Sequence, residues 1–93
     1  MALIIPVAAG EAVSDEFVLA DGEGVSISLA AGTGSFLSGN EVAEVQYKAN
    51  SGWSTIGYVR AWPIELRMLV LQAPGTFRVR RPAQARAVGV DLT

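Results

Sequence analysis

The sequence predicts an all-β protein, and three observations lead to that class. Apolar residues alternate with polar ones over several short stretches, as they do in half-buried strands. Glycine-rich or polar turn segments separate these stretches at intervals of about ten residues. The length of 93 residues is enough for one hydrophobic core and not for two. We therefore expect one domain over residues 1–93, a small antiparallel β-sandwich of about seven or eight strands in an Ig-like or jelly-roll-like order.

The first ten residues are apolar and form either an N-terminal arm or an edge strand. No basic residue precedes the run, and Pro6 interrupts it. It is too short and wrongly flanked for a signal peptide or a membrane span. We expect no membrane partner and no export by a general route.

Each later stretch has one apolar and one polar face. For example, Ile27 lies between Ser26 and Ser28, and Val79 lies between Arg78 and Arg80. Alternate side chains of a strand point to opposite faces of its sheet, so the apolar members should face inward. The predicted core consists of Val25, Ile27, Leu29, Val45, Tyr47, Phe77, Val79, Val88 and Val90.

Two turn signals separate the middle strands. The tripeptide Asn50-Ser51-Gly52 predicts a three-residue hairpin loop, which would bring Lys48 and Trp53 close together across the ladder. Pro74-Gly75 combines a fixed negative φ with a residue that tolerates positive φ, as a type II turn requires. A sharp reversal is therefore expected just before Phe77.

Two segments do not follow the strand pattern. Residues 30–40 contain three glycines and two serines and predict a surface loop, whose Phe36 and Leu37 either fold over the core or contact a partner. Residues 61–66 contain Trp62-Pro63, and proline removes a backbone donor. That segment is expected at an edge or in a crossover.

Charge is divided between the two halves of the chain. Residues 1–47 carry seven acidic residues and no basic ones, whereas residues 48–93 carry all seven basic residues and only Glu65 and Asp91 as acids. Six of the seven bases are arginines, which suit planar pairing at interfaces. The halves either face each other within one sandwich or pair between copies.

The residue types needed for common catalytic sites are missing. The chain has no histidine and no cysteine, which removes the usual general base and the usual metal ligands. The acid pairs Asp15-Glu16 and Asp21-Glu23 are better explained as solvated surface, and residues 21–24 as a hairpin turn. We expect a protein that is not an enzyme, with no catalytic residue, no cofactor and no metal site.

The sequence raises two possible binding functions, one for nucleic acids and one for carbohydrates. Arg78, Arg80 and Arg81 could follow a phosphate backbone, but the net charge of −2 opposes a dedicated nucleic-acid binder. No nucleic-acid partner is expected. Trp53, Tyr58 and Trp62 could form a platform for sugar rings, although aromatic residues of small sandwiches are more often core residues or interface anchors.

The C-terminal part of the chain resembles small virion proteins of tailed bacteriophages. Residues 69–82 read Leu-Val-Leu-Gln-Ala-Pro-Gly-Thr-Phe-Arg-Val-Arg-Arg-Pro, and Val88-Gly89-Val90 follows them. A turn of this Pro-Gly-Thr-aromatic-Arg-Val type, a strand ending at a basic residue and proline, and a short Gly-Val strand carry the resemblance. The hairpin residues 45–48 and 52–53 extend it over residues 42–92.

The resemblance implies a β-sandwich of the phage particle, most plausibly a capsid decoration or cement protein. Its partners would be the major capsid protein or another virion protein, together with further copies of itself. It would be made in the host cytoplasm and end up in the virion. A tail or baseplate module and a carbohydrate- or protein-binding domain are the alternatives. The expected interface residues are Leu3, Ile4, Ile5, Trp62, Arg78 and Arg80.

Overall fold

The computed structural model describes residues 2–32, 37–84 and 86–93. Within these ranges the chain forms nine strands and a short 3-10 helix, Ile64–Leu66. The strands are β1 (Ala2–Ala8), β2 (Ala12–Val13), β3 (Phe17–Leu19), β4 (Val25–Ala30), β5 (Val42–Ala49), β6 (Gly52–Arg60), β7 (Met68–Leu71), β8 (Gly75–Arg81) and β9 (Val88–Leu92).

The strands form two antiparallel sheets, which confirms the predicted sandwich. The four-stranded sheet has the order β1-β9-β4-β7. The five-stranded sheet has the order β2-β8-β5-β6, and β3 also pairs with β8. Both β2 and β3 pair with β8, so together they form one interrupted edge strand. Counted in this way, the fold has eight strands. Their order is that of a jelly roll, which selects between the two predicted arrangements.

The core lies between the sheets and matches the predicted faces in most positions. Six predicted core residues are buried: Ile27, Val45, Phe77, Val79, Val88 and Val90. Val25 and Leu29 are partly buried and pack against that cluster. The prediction for Tyr47 is wrong, because this residue is 37% exposed. Its ring contacts Phe77, with 5.5 Å between the ring centroids, but it lies at the margin of the core.

The hairpin between β5 and β6 has the expected register. Lys48 and Trp53 lie close together, as predicted, and are directly paired, as are Ala49 and Gly52. The loop therefore has two residues rather than three, since Gly52 is already the first residue of β6. Its φ of +129° is open to glycine and strained for other residues.

The turn before Phe77 also depends on a glycine. Gly75 has a φ of +147°, and a Cβ atom there would lie 2.7 Å from the ring of Tyr47. A side chain at this position would collide with that ring. The predicted reversal at Pro74-Gly75 leads from β7 in one sheet to β8 in the other.

Most other connections also cross between the sheets, and two of them test predictions from the sequence. Residues 61–66 join β6 to β7, so the predicted crossover at Trp62-Pro63 is confirmed. The turn at Asp21-Gly22 joins β3 to β4, which belong to different sheets. The prediction of a hairpin at residues 21–24 is therefore wrong, although the chain does turn there.

Candidate functional site

The outer face of the five-stranded sheet carries charged side chains that pair with one another. Glu44 and Arg80 are direct neighbours on β5 and β8. Arg80 forms ion pairs with Glu44 and with Glu11, which precedes β2. The hydrogen bonds from Arg80 to Glu11 and to Glu44 raise the pKa of the guanidinium. This arginine is therefore occupied by partners within its own chain.

Arg78 lies on the same polar face, as the alternation predicted, and it is also held in place. Its Nε donates a hydrogen bond of 2.7 Å to Oε1 of Gln46, its neighbour on β5. Its guanidinium carbon lies 4.3 Å from the centroid of the Trp53 ring, a cation–π contact. Both arginines that we expected at an interface thus make contacts inside the monomer.

The division of charge along the chain corresponds to contacts within one sandwich. Among the described residues, every ion pair joins an acid of residues 1–47 to a base of residues 48–93. The pairs are Glu16–Lys48, Glu11–Arg80, Glu44–Arg80 and Glu41–Arg86. Of the two arrangements left open by the sequence, the structure contains the one in which the halves of a single chain face each other.

Arg81 has a different environment from the other arginines, and the sequence reasoning missed it. It follows Phe77 and Val79 on the inward face of β8 and is only 3% exposed. Its guanidinium donates to backbone carbonyls of Pro6, of Gly10 at 2.7 Å and of Val88 at 2.9 Å. The sequence did contain a signal for this burial. Residues 77, 79 and 81 occupy alternate positions of one strand, so their side chains point to the same face of the sheet.

Glu41 fixes the loop that precedes β5. Its carboxylate accepts hydrogen bonds from the backbone N–H and hydroxyl of Ser38 and from the backbone N–H of Gly39, at 2.9 to 3.1 Å. Burial alone would raise the pKa of Glu41, but these hydrogen bonds outweigh it and lower the pKa from 4.5 to about 2. Nε of Arg86 lies 3.5 Å from the same carboxylate. These groups act as a loop anchor.

The outer face of the four-stranded sheet is much less charged. A row across it contains Leu3, Asp91, Ser28 and Met68, each directly paired with the next. Ser26 and Val70 form the adjoining pair. Gly89 is buried beneath Leu3 and Val7, whose methyl groups would lie 3.1 and 3.0 Å from a Cβ atom at that position. Small residues thus line the middle of this face, and apolar side chains line its two edges.

An apolar band runs from the crossover into strand β7. We define it by five exposed residues that occupy every second position of the chain: Trp62, Ile64, Leu66, Met68 and Val70. Their exposed fractions lie between 42% and 67%. Ile56 and Tyr58 of β6 are also about half exposed, and Leu69 approaches Gly57 of the same strand. Strands β6 and β7 therefore flank one side of the sandwich.

The apolar residues that we expected at an interface differ in their exposure to solvent. Trp62 is 67% exposed and Leu3 is 52% exposed. Ile4 is partly buried and packs against the core. Ile5 is 1% exposed and belongs to the core itself, so it is unable to meet a partner at the surface. Phe36 lies outside the described residues, and Leu37 is partly buried.

The surface formed by the described residues contains small hollows. One hollow of about 270 Å³ is lined by Leu3, Asp15, Glu16 and Phe17 among others. A second of about 90 Å³ lies beside Glu41 and Arg86. In the described part of the chain, no three acid, histidine or cysteine side chains converge as metal ligands would. No helix within it has the length and apolar character needed to span a membrane.

The three aromatic residues considered for sugar binding have different surroundings. Arg78 covers one face of Trp53, and the guanidinium carbon of Arg60 lies 5.0 Å from the centroid of Tyr58. Trp62 lies beyond the end of β6, in the crossover. Its ring is the most exposed of the three.

No protein-family model, curated protein or solved structure matches the chain.

Proposed function

We propose that this chain is a non-enzymatic structural protein of a tailed-phage particle, a decoration protein that binds the major capsid protein and stabilises the head lattice. It is made in the host cytoplasm and functions in the virion. The resemblance over residues 42–92 supports this role. In the fold, these residues form five strands, from β5 to β9.

The observation that carries the proposal is the apolar band. With a full area of about 200 Å² for a large apolar side chain, its five residues expose on the order of 600 Å². This is most of the area of about 800 Å² that each partner contributes to a standard interface. Isolated monomers seldom expose an apolar patch larger than about 600 Å². A surface of this size suits attachment to another protein.

The distribution of charge supports attachment through the apolar side. On the outer face of the five-stranded sheet, Arg78 and Arg80 already have partners within the chain. They therefore contribute to docking only through the remaining electrostatic potential of that face. Trp62 is the expected main anchor, because large exposed aromatic residues are enriched among residues that dominate binding energy. Leu3 is a second apolar contact at the opposite edge of the four-stranded sheet.

Particles that lack this protein provide the test. Purified protein is added to them over a range of concentrations, and bound copies are counted after sedimentation. We expect saturation at hundreds of copies per particle and a loss of affinity of about tenfold or more for Trp62→Ala. Val18→Ala is the matched control, since Val18 is 70% exposed but lies on β3, away from the band.

The outcomes distinguish the alternatives. Binding at a few to dozens of copies would move the protein to the tail or baseplate. Absence of binding to any particle would overturn the proposal. A carbohydrate-binding domain is the second candidate, because jelly rolls also occur in lectins and the exposed Trp62 ring is able to stack on a sugar. Glycan binding lost in Trp62→Ala, without particle binding, would favour it.

A further inference from the structure

Strand β7 leaves one of its edges open. It is the last strand of the four-stranded sheet and, among the described residues, pairs only with β4. Val25 pairs with Leu71, and Ile27 pairs with Leu69. The next pair of this series is Leu29 with Arg67, and it is hydrogen-bonded, because the N–H of Leu29 donates to the carbonyl of Arg67 at 3.3 Å. Hydrogen-bonded and non-hydrogen-bonded pairs alternate in an antiparallel ladder. The N–H and C=O groups of Met68 and Val70 therefore point away from β4, toward the open edge.

The other edges of the sandwich carry features that oppose pairing with another chain. Strand β1 contains Pro6 and two register shifts. Strand β6 contains a bulge opposite Val45 and Gln46. The edge formed by β2 and β3 is interrupted between residues 13 and 17. Proline, bulges, charges and short length are the usual protections of edge strands. Strand β7, with the sequence Met-Leu-Val-Leu, has only the last of them, a length of four residues.

We propose that β7 pairs with β7 of a second copy, antiparallel and about a two-fold axis at Leu69. This register places Met68 of each copy opposite Val70 of the other. Each such pair exchanges two hydrogen bonds, which uses all the outward-pointing backbone groups of both residues. The two four-stranded sheets then form one continuous sheet across the dimer.

A second copy fits this edge better than an unrelated segment does, because the strand is complementary to itself. An isologous interface requires one patch to match its own copy. The four residues of β7 carry no charge, so a two-fold axis brings no like charges into opposition. Because the side chains of Met68 and Val70 stand perpendicular to the sheet, edge pairing does not cover the outer face, and the backbone hydrogen bonds carry the association.

This inference assigns a surface and a register to the self-association that the sequence resemblance implies. It is tested in solution, without particles, so each proposal is able to fail without the other. The chain has no cysteine, so single-cysteine variants report on one position each. Met68→Cys and Val70→Cys both replace exposed side chains, and circular dichroism checks their fold.

The test compares oxidation of each cysteine variant alone with oxidation of an equal mixture. A hydrogen-bonded antiparallel pair has a Cα separation of about 5.5 Å, within the disulfide range of about 4.4 to 6.8 Å. Residue 68 of one copy and residue 68 of the other are diagonal neighbours, and their Cα atoms lie farther apart than about 7 Å. We expect the mixture to give a covalent dimer joining positions 68 and 70 at several times the yield of either variant alone. Equal yields, or no dimer, would overturn the register.

Sedimentation equilibrium tests the dimer without oxidation. Val70→Lys places two cations beside the axis and should weaken dimerisation at least tenfold, whereas Val18→Lys, an equally drastic change at an exposed valine of β3, should leave it unchanged. A wild-type protein that stays monomeric at high concentration overturns the proposal. So does a Val70→Lys variant that dimerises as well as the wild type.

Discussion

Arg81 and Val88 are joined by a hydrogen bond of 2.9 Å from the guanidinium to the backbone carbonyl, inside the sandwich. The bond connects β8 of the five-stranded sheet to β9 of the four-stranded sheet. The same guanidinium bonds Pro6 of β1 and Gly10. One side chain thus links the two sheets and holds the chain where it leaves β1.

Replacing Arg81 by methionine should destabilise the fold strongly. Of the three hydrogen bonds that would be lost, the one to Val88 is buried and those to Pro6 and Gly10 are partly buried. A buried acceptor left without a donor costs about 1 to 3 kcal/mol, so we expect a loss of about 1 to 3 kcal/mol. Urea denaturation at a fixed protein concentration measures it. Arg60→Met is the control: Arg60 is exposed, and its contact with Tyr58 is worth less than about 1 kcal/mol. Equal losses would show that Arg81 is not a structural link.

Phe77→Ala should remove a central contact of the core. The ring is 1% exposed and lies between Phe17 and Tyr47, with centroid distances of 6.0 and 5.5 Å. We expect a loss of about 3 to 5 kcal/mol, as for other buried aromatic residues. Thermal or urea unfolding measures it, and Val18→Ala at an exposed site should cost little. A Phe77→Ala protein of nearly wild-type stability would contradict the packing described.

Glu41 should make stability depend on pH in the acidic range. Its folded-state pKa is lowered from 4.5 to about 2, so its contribution is present above pH 4.5 and is lost as the pH falls toward 2. Glu41→Gln should therefore be less stable than the wild type at neutral pH, and the two should converge near pH 2. Urea midpoints measured from pH 7 to pH 2 test this, and parallel profiles would refute it.

Arg80→Glu should lower the urea midpoint, because it places a carboxylate beside Glu44 and Glu11. The effect should be larger at low salt than at high salt, since exposed charges are screened. Exchanging the two residues, in the double variant Glu44→Arg with Arg80→Glu, should recover much of the stability by restoring an opposite-charge pair across the strands. If the exchange recovers nothing, the ion pair is not what holds these residues together.

Alternation along each strand was the most reliable signal in the sequence. It placed Ile27, Val79 and Val90 inside and Arg78 outside, because a strand exposes its faces with a strict period of two. The same rule locates Arg81 inside, but only if the preference of arginine for the surface is overridden. Tyr47 has the parity of a core residue and still reaches solvent, since it lies near the end of β5, at the margin of the core.

Sequence signals were weaker for connections and for the surface. A turn such as Asp21-Gly22 indicates that the chain reverses, but not whether the next strand pairs with the previous one or crosses to the other sheet. Trp62 was expected at the surface, whereas the band that continues to Val70 depends on how the crossover enters β7. The open edge of β7 follows from the order of strands, which the local pattern does not specify.

The position of β9 has a consequence for how the protein is made. This strand is the last of the nine along the chain, yet it lies between β1 and β4 and pairs with both. During synthesis, β1 and β4 therefore have no neighbour in common until residues 88–92 have left the ribosome. Folding of the four-stranded sheet therefore waits for β9, and a nascent chain exposes unpaired strands to chaperones and proteases until then.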